Sequence, residues 1–331
     1  MRITILTYLE KEDDPHFDEV VPQVARALRR GGHTVSILGV HGDVRKLISG
    51  LTRRKPDLVF NLMESFGDSY LGASDVIGLL DMLGLWYTGG GPGEYYLQED
   101  KALTKKLLAF EGLKYPDFAV FTQDANLETG GNLRMPLFVK PLRMDASIGI
   151  GAKSLVHNTM DMMKRVIAIH EQVHDAALAE EYIEGREFYV GVLGNQNPQA
   201  FPPIEMDFSG LPDDKPHVLG DRAKWRKDSA EYKGTRAVLA DIPDELRAQL
   251  QKVSRDAYRA LRVRDYGRVD LRLMDTGEIY VIEVNASCYL EQASEFATAA
   301  AAAGIDFPSL VDRIVELAVE RRKLRSSHAR T

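Results

Sequence analysis

The sequence predicts an α/β protein in which a small doubly wound parallel sheet precedes two α+β lobes. Three observations lead there. Strands and helices alternate in the order β-α-β-α-β-α at the start of the chain, an order that builds a parallel sheet with helices on both faces. The run LGLWYTGGGPG at 83–93 interrupts that alternation with five glycines and a proline, a strong local break. Beyond it, paired apolar runs with glycine turns recur at 177–193 and 269–284, the signature of antiparallel hairpins. A length of 331 residues also exceeds one ordinary core and suits two or three lobes.

In the first lobe, Ile3 to Tyr8 reads as a buried strand and Phe17 to Arg30 as an amphipathic helix stopped by Gly31-Gly32. Thr34 to Val40 is the second strand and Asp43 to Arg54 the next helix. Asp57 to Leu62 follows Pro56 as the third strand, and Ser74 to Leu83 closes the lobe as a helix. Ligands of such sheets bind beyond the carboxyl ends of the strands. The polar residues there are Glu10, Glu12, Asp13 and Asp14 after the first strand, and Asn61, Glu64, Ser65 and Asp68 after the third. An acidic rim of this kind suits a substrate amine, although solvation accounts for any one of these side chains. No GxGxxG follows the first strand, which speaks against a dinucleotide site.

After the glycine-rich break a single helix is expected from Gln98 to Glu111, carrying Lys101, Thr104 and Lys105. In Leu137-Phe138-Val139-Lys140-Pro141 a lysine ends an apolar strand, and burying it requires an anion or carboxylate partner. The following loop holds Ser147, Gly149 and Gly151, small residues that let backbone N–H groups approach phosphate. A helix over Asn158 to His170 precedes the strands Ala177 to Ile183 and Glu187 to Leu193, with a turn at Gly185. Glu180, Glu181, Glu184 and Glu187 crowd that pair; either it is exposed, or a nucleoside uses one carboxylate for its ribose and the strand backbone for its base. Asp207 to Arg236 reads as a long irregular loop containing Lys224-Trp225. Helices follow over Ile242 to Arg262 and Phe307 to Leu324, and the trailing SSHART reads as frayed.

Between those helices lies GRVDLRLMDTGEIYVIEVN, residues 267–285. Val269 to Met274 and Ile279 to Val284 form a hairpin turning at Thr276-Gly277. Arg268 and Asp270 are two apart on the first strand, Glu283 and Asn285 two apart on the second, so each pair shares a face. Two carboxylates, an amide oxygen and a guanidinium then meet, a set suited to a hard divalent cation beside a group that neutralises an oxyanion. Surface ion pairs on an exposed hairpin are the alternative.

Composition sets outer limits. The 44% hydrophobic and 27% charged fractions are those of a globular protein, and a net charge of −7 argues against a nucleic-acid partner. The start MRITILTYLE is unlike a signal peptide, and no apolar run reaches the roughly 18 residues of a membrane helix. Cys288, the one cysteine, excludes an intrachain disulfide; with no activating base near it in sequence it reads as a small buried residue rather than a nucleophile.

The stretches LGLWYTGGG, EDKALTKKLLAFEGL, PLFVKP, SIGIGAKS, ALAEEYIEGREFYVGVLGN, GRVDLR and IYVIEVN together resemble the ATP-grasp superfamily, and within it the D-alanine:D-alanine ligases, over nearly the whole chain. The resemblance implies an ATP-grasp fold of three parts: a Rossmann-like domain at 1–92, a central lobe at 93–178 and a C-terminal lobe with the metal site at 179–331, the last two clamping ATP. It implies that Asp270, Glu283 and Asn285 hold two Mg²⁺ ions, with Mn²⁺ as a substitute. Lys101 and Lys140 then contact the α- and β-phosphates, and Ser147 with Gly149 forms the loop over the triphosphate. Glu180, Glu181 and Ile183 receive adenine, Glu187 the ribose, and Lys224 reaches the γ-phosphate. Arg268 stabilises the oxyanion. The implied activity is ATP-dependent ligation of a carboxylate to an amine through an acyl phosphate, with small amino acid or peptide substrates, a cytoplasmic location and a homodimer.

The sequence departs from that family where substrate binds. FNLMESFGD has Asn61 at the place of a histidine, TYLEKEDDPHF replaces a glycine-rich loop, and ASCYLEQASEF follows EVN in place of a proline-glycine pair. Asn61, Glu64, Tyr289 and Ser294 are therefore the substrate candidates, and an acceptor other than D-alanine is the expectation. A carboxylate kinase, another ATP-grasp enzyme with unrelated substrates, and an inactive nucleotide-binding protein are the alternatives.

Overall fold

The computed structural model describes residues 1–328 apart from 13, 68, 70, 125–126, 131, 145–148, 212–219, 221–225 and 227, and of 130, 152 and 325–328 the backbone alone. Its N-terminal sheet is parallel, in the order β2-β1-β3, with β1 at Arg2–Tyr8, β2 at Thr34–Val40 and β3 at Leu58–Leu62. Alternation divides its side chains between two cores. Ile3, Ile5, Leu58 and Phe60 pack with α1 (Val20–Arg30) and with the C-terminal helix Phe307–His328. Leu6, Leu38 and Val59 pack on the other face with α2 (Val44–Arg54) and α3 (Gly72–Met82). The sheet is thus doubly wound, as its β-α order predicts, and the chain's last long helix completes one of its layers. Helix α1 starts three residues later and α2 one residue later than the sequence pattern suggests, whereas α3 is displaced, starting two residues earlier and ending one earlier. Asp43 shows the reason in α2: its carboxylate accepts from the N–H groups of Arg45 and Lys46, so it caps the helix rather than entering it.

The expected helix from Gln98 to Glu111 is in fact two, α4 (Pro92–Glu99) and α5 (Lys101–Phe110). Asp100 parts them with a non-helical backbone, its carboxylate accepting from Leu103 N–H at 2.9 Å. A good capping residue overrides continuity of pattern. The central sheet runs β5-β4-β8-β6-β7, with β4 at Phe118–Phe121, β5 at Leu127–Gly130, β6 at Leu137–Pro141, β7 at Leu155–Val156 and β8 at Ala177–Glu181. Helix α6 (Thr159–Gln172) packs on it through Met162, Val166 and Ile169. Because β8 is hydrogen-bonded between β4 and β6, a division at 178/179 cuts a strand; the change of sheet falls at 182–185.

The C-terminal sheet has the order β12-β11-β9-β13-β14, with short β10 (Gln199–Ala200) also on β9. Its strands are β9 at Arg186–Leu193, β11 at Ile204–Asp207, β12 at Arg236–Leu239, β13 at Tyr266–Leu273 and β14 at Ile279–Ala286. The segment expected to be irregular from Asp207 to Arg236 holds α7 (Ala230–Gly234) and leads directly into β12. Val269, Leu271, Val281 and Val284 bury one face of the sheet with Leu250, Ala257 and Tyr258 of α8 (Asp244–Ala260). The opposite face carries the polar residues of the hairpin. Helices α9 (Glu295–Ala302) and α10 (Phe307–His328) complete the lobe. Among the described residues no helix is long and apolar enough to cross a membrane.

The glycine run at 89–91 is a packed joint. Gly89 N–H donates to Asp265 at 2.8 Å and Gly90 N–H to Ser287 Oγ at 2.9 Å. A Cβ on Gly89, whose φ is +86°, would lie 2.1 Å from Ser287 Oγ, so only glycine permits this approach. Asp265 is fully buried and also takes both Arg321 Nε and Nη2, at 2.9 and 2.6 Å. One carboxylate thereby joins the N-terminal joint, the start of β13 and the last helix. Asp265→Ala leaves Arg321 partly buried without a counter-charge, and a loss of about 3–5 kcal/mol is expected. Guanidinium unfolding checks this; a loss under about 1 kcal/mol would contradict it.

Candidate active site between the central and C-terminal lobes

The changeover at 182–185 sets the two antiparallel sheets on opposite sides of a cleft of about 740 Å³, its open mouth included. Phe138, Lys140, Glu180 and Glu181 line it from the central lobe; Glu187, Tyr189, Asp270, Arg272 and Glu283 line it from the C-terminal sheet. Register explains the second wall. Glu187 pairs with Arg272 across β9 and β13; Tyr189, Asp270 and Glu283 form the next rung; Gly191, Arg268 and Asn285 form the rung after that. Each polar pair shares a face, as period-two spacing predicts, and the hairpin brings the two pairs together on the same face.

One local feature departs from strict alternation. The register shifts between Asp270 and Leu271, so that Asp270 opposes Glu283 while Leu271 opposes Val281. Ile282 is the extra residue of a β-bulge, and it lines the cleft beside Glu283. Such bulges re-aim side chains at strand ends.

Arg268 forks onto Asp270, Nε to Oδ1 at 2.7 Å and Nη2 to Oδ2 at 2.9 Å, with Nη1 3.6 Å from Glu295 Oε2 and the guanidinium 4.5 Å above the Tyr189 ring. Burial lowers its pKa, but Asp270 and Glu295 outweigh burial and hold it well above the ordinary value. Asn285 Nδ2 donates to Asp270 at 3.3 Å. Glu283 Oε1 lies 3.6 Å from Lys101 Nζ, which also donates to Met144 O. Glu187 pairs with Arg272 and accepts from Tyr189 OH at 2.7 Å.

The central wall holds a buried cluster that supplies the carboxylate partner expected for Lys140 and adds a second lysine, Lys105. Glu180, 3% exposed, places Oε1 2.6 Å from Lys140 Nζ and Oε2 2.9 Å from Lys105 Nζ. Its side chain is therefore engaged with lysines, and Glu181, Tyr182 and Ile183 continue the cleft lining beyond it. Burial raises the Glu180 pKa, yet Lys105 and Lys140 outweigh it and hold the carboxyl at about 2; burial lowers that of Lys105. A depressed carboxyl contributes stability above its unfolded pKa, near 4.5, and loses it as pH falls toward the folded value. The stability difference between wild type and Glu180→Gln should be level from pH 7 to 5 and narrow from about pH 4.5 downward. Urea midpoints across pH test this, and a difference that grows in acid would reverse the sign argued here.

Asp270, Glu283 and Asn285 present two carboxylates and an amide on adjacent rungs, an oxygen donor set whose chemistry fits Mg²⁺. Among the described residues no group of three or more His, Cys, Asp or Glu stands together as a metal site, so the amide is part of any set here. Gly149 is described, with φ +70°, and Gly220 lies against Ile150 and Gly151. Ser147 and Lys224, and with them Asp13 and Asp68, lie outside the described residues.

A family model described as "D-ala D-ala ligase C-terminus" matches residues 106–316, a span that includes both walls of this cleft. The chain belongs to the D-alanine:D-alanine ligase family. It is 30% identical over 308 residues to the D-alanine–D-alanine ligase of Carboxydothermus hydrogenoformans, covering 91% of this chain and 92% of that one. An uncharacterized protein of Sinorhizobium fredii is 32% identical over 310 residues, covering 91% and 88%. The fold, of the ATP-grasp type, is shared with the crystal structure of D-alanine–D-alanine ligase from Bacillus anthracis complexed with ATP, at a TM-score of 0.74 and 23% identity over 98% of this chain and 99% of that one.

Within this D-alanine:D-alanine ligase-family chain, Asn61, Glu64 and Tyr289 meet in a second, smaller pocket with Tyr95, Tyr266 and Ser287. Asn61 is buried; its Nδ2 donates to Tyr95 OH at 3.2 Å and its Oδ1 accepts from Met63 N–H. Tyr289 OH donates to Asp18 at 2.8 Å, and Gln23 donates to Glu291 at 2.7 Å. The segment after β14 is thus tied to α1 and the loop before it. Ser294 stands apart from this pocket and caps α9, accepting from Ala297 N–H at 3.4 Å. Cys288 is buried on the same segment, and burial pushes its thiol up to about 12, which suits the small buried residue expected. Lys105, Arg272 and Tyr189 are what sequence reading missed. The i, i+4 spacing of Lys101 and Lys105 offered one signal, and the alternate placement of Arg272 after Asp270 and of Tyr189 after Glu187 offered another.

Proposed function

We propose that the protein is an ATP-dependent ligase that joins the carboxylate of one amino acid or peptide to the amine of another. The observation that carries this reading is the order of features along one face of the β13–β14 hairpin. The larger cleft lies at Asp270 and Glu283, Arg268 and Asn285 occupy the next rung, and the smaller pocket lies at Tyr266 and Ser287. Asp270 and Tyr266 lie four positions apart on β13, roughly 13 Å, so an arginine stands between the larger cleft and the smaller pocket.

In this reading the substrate carboxylate attacks the γ-phosphorus of ATP, giving an acyl phosphate and ADP. The amine then attacks the acyl carbon, phosphate leaves, and an amide forms. Lys101 and Lys140 neutralise phosphate charge, with Lys224 and the Ser147–Gly149 loop assisting. The backbone at Glu181–Ile183 reads adenine and Glu187 the ribose hydroxyls. Asp270, Glu283 and Asn285 would hold Mg²⁺, which supplies charge neutralisation and alignment of the transferred phosphoryl group. Arg268 stabilises the oxyanion as the carbonyl becomes tetrahedral. No covalent nucleophile is required. We read the acceptor as different from D-alanine, because Tyr289, a bulky side chain anchored to Asp18, lines the smaller pocket. A homodimer belongs to the same reading and is checked by light scattering.

ADP release and amide formation, followed over a panel of D- and L-amino acids and dipeptides with Mg²⁺, test the function. ADP and amide in equal amounts with at least one pair is the expected result. ADP without amide would make the protein a carboxylate kinase, and ATP binding without turnover on any pair would make it a binding protein.

A further inference from the structure

Lys105 is a buried charge to which the reaction above assigns no role. It lies one turn after Lys101 on α5, is 1% exposed, and does not line the cleft. Its Nζ is 2.9 Å from Glu180 Oε2, whereas Lys140 Nζ is 2.6 Å from Oε1 and does reach the cleft wall. Each oxygen of one carboxylate therefore takes one ammonium, one from inside the lobe and one from the cleft. The contact of Lys105 is a buried ion pair, and what it brings to Glu180 is a second positive charge.

That charge changes what the cleft presents to a polyanion. Glu180 paired with Lys140 alone sums to zero, and a neutral pair has little net attraction for phosphate. With Lys105 behind Glu180 the three groups sum to one positive charge, and it is Lys140 that carries this charge at the wall. In a low-dielectric setting that difference is large.

We propose that Lys105 is a positioning residue for nucleotide binding: it neutralises Glu180 from within the lobe, so that Glu180 can hold the Lys140 ammonium in place without cancelling its attraction for the phosphates. The inference rests on the reading of the cleft as the ATP site.

The test is calorimetric binding of ATP with Mg²⁺ to the full chain. Lys105→Met is expected to weaken ATP binding about tenfold, by the loss of one buried charge pairing, while the KM of the amino acid substrates stays put. Lys105→Met/Glu180→Gln again leaves one net positive charge on Lys140 and is expected to recover most of the lost affinity. A residue needed only for folding would show no such recovery. Unchanged ATP binding in Lys105→Met, or a double variant as weak as the single, would overturn the role of Lys105. Failure of the wild type to bind ATP would instead overturn the nucleotide reading. Should Lys105→Met not fold, Lys105→Met/Glu180→Gln is compared with Lys140→Met/Glu180→Gln. The first is expected to bind ATP at least tenfold more tightly, and equal affinities would overturn the proposal.

Discussion

Glu283→Gln is expected to lower kcat for ADP release roughly 10³-fold, about 4 kcal/mol of transition-state stabilisation. The substitution keeps the shape of the side chain and removes only its charge. Glu283 opposes Asp270 across the hairpin and stands 3.6 Å from Lys101, where phosphate and divalent cation would both be neutralised. It is on the wall of the cleft and not in a core, with a quarter of its side chain exposed, so the fold should survive. Two measurements separate the explanations. The Mg²⁺ concentration for half-maximal activity should rise sharply in Glu283→Gln, and the melting temperature should change little. Turnover within tenfold of wild type at saturating Mg²⁺ would remove Glu283, and with it the hairpin, from the metal site.

The second large effect is expected at Arg268. Arg268→Lys preserves a positive charge beside Asp270 but loses the planar fork that engages both of its oxygens. A decrease of about 10²–10³ in kcat is expected from the loss of an oriented donor to the oxyanion. The KM for ATP should move little, because Arg268 lies one rung beyond the residues that line the larger cleft, where the proposed reading puts the nucleotide. The split between the two constants is informative. A rise in the KM for ATP with kcat unchanged would assign Arg268 to phosphate binding, and a loss of less than threefold in both would deny it any role in the chemistry. Lysine is preferred to methionine here because a neutral side chain would strand the buried Asp270 carboxylate.

Both residues were identified by spacing in the sequence. Period-two placement put Arg268 with Asp270 and Glu283 with Asn285, each pair on one face; unbroken pairing from the turn would have set Asp270 opposite Ile282 and left Glu283 and Asn285 on the far face, and it is the register shift after Asp270 that brings the two pairs together. The doubly wound first lobe was legible for a similar reason: β1, β2 and β3 are short apolar runs with helices between them, and each helix buries one stripe. Less was visible where a single residue decides. The carboxylate of Asp100 splits one expected helix into two. Ile282 adds a bulge that alternation cannot reveal. Ser294, a substrate candidate by its place after the hairpin, is a helix cap.

Two of the three lysines of α5 mark the boundary most clearly. In KALTKKLLAF the leucines look like the inward face and the lysines like the outward one, yet Lys101 and Lys105 are buried while Phe110 is exposed. Local pattern determined that this segment is a helix, that each polar pair of the hairpin shares a face, and that alternating elements build the first sheet. Only the tertiary structure decided which way α5 faces. The charges that make its lysines tolerable in a low-dielectric interior, Glu180 on β8 and Glu283 on β14, come from two different sheets far away in sequence, and an ion pair lowers the cost of burial only when both partners have arrived.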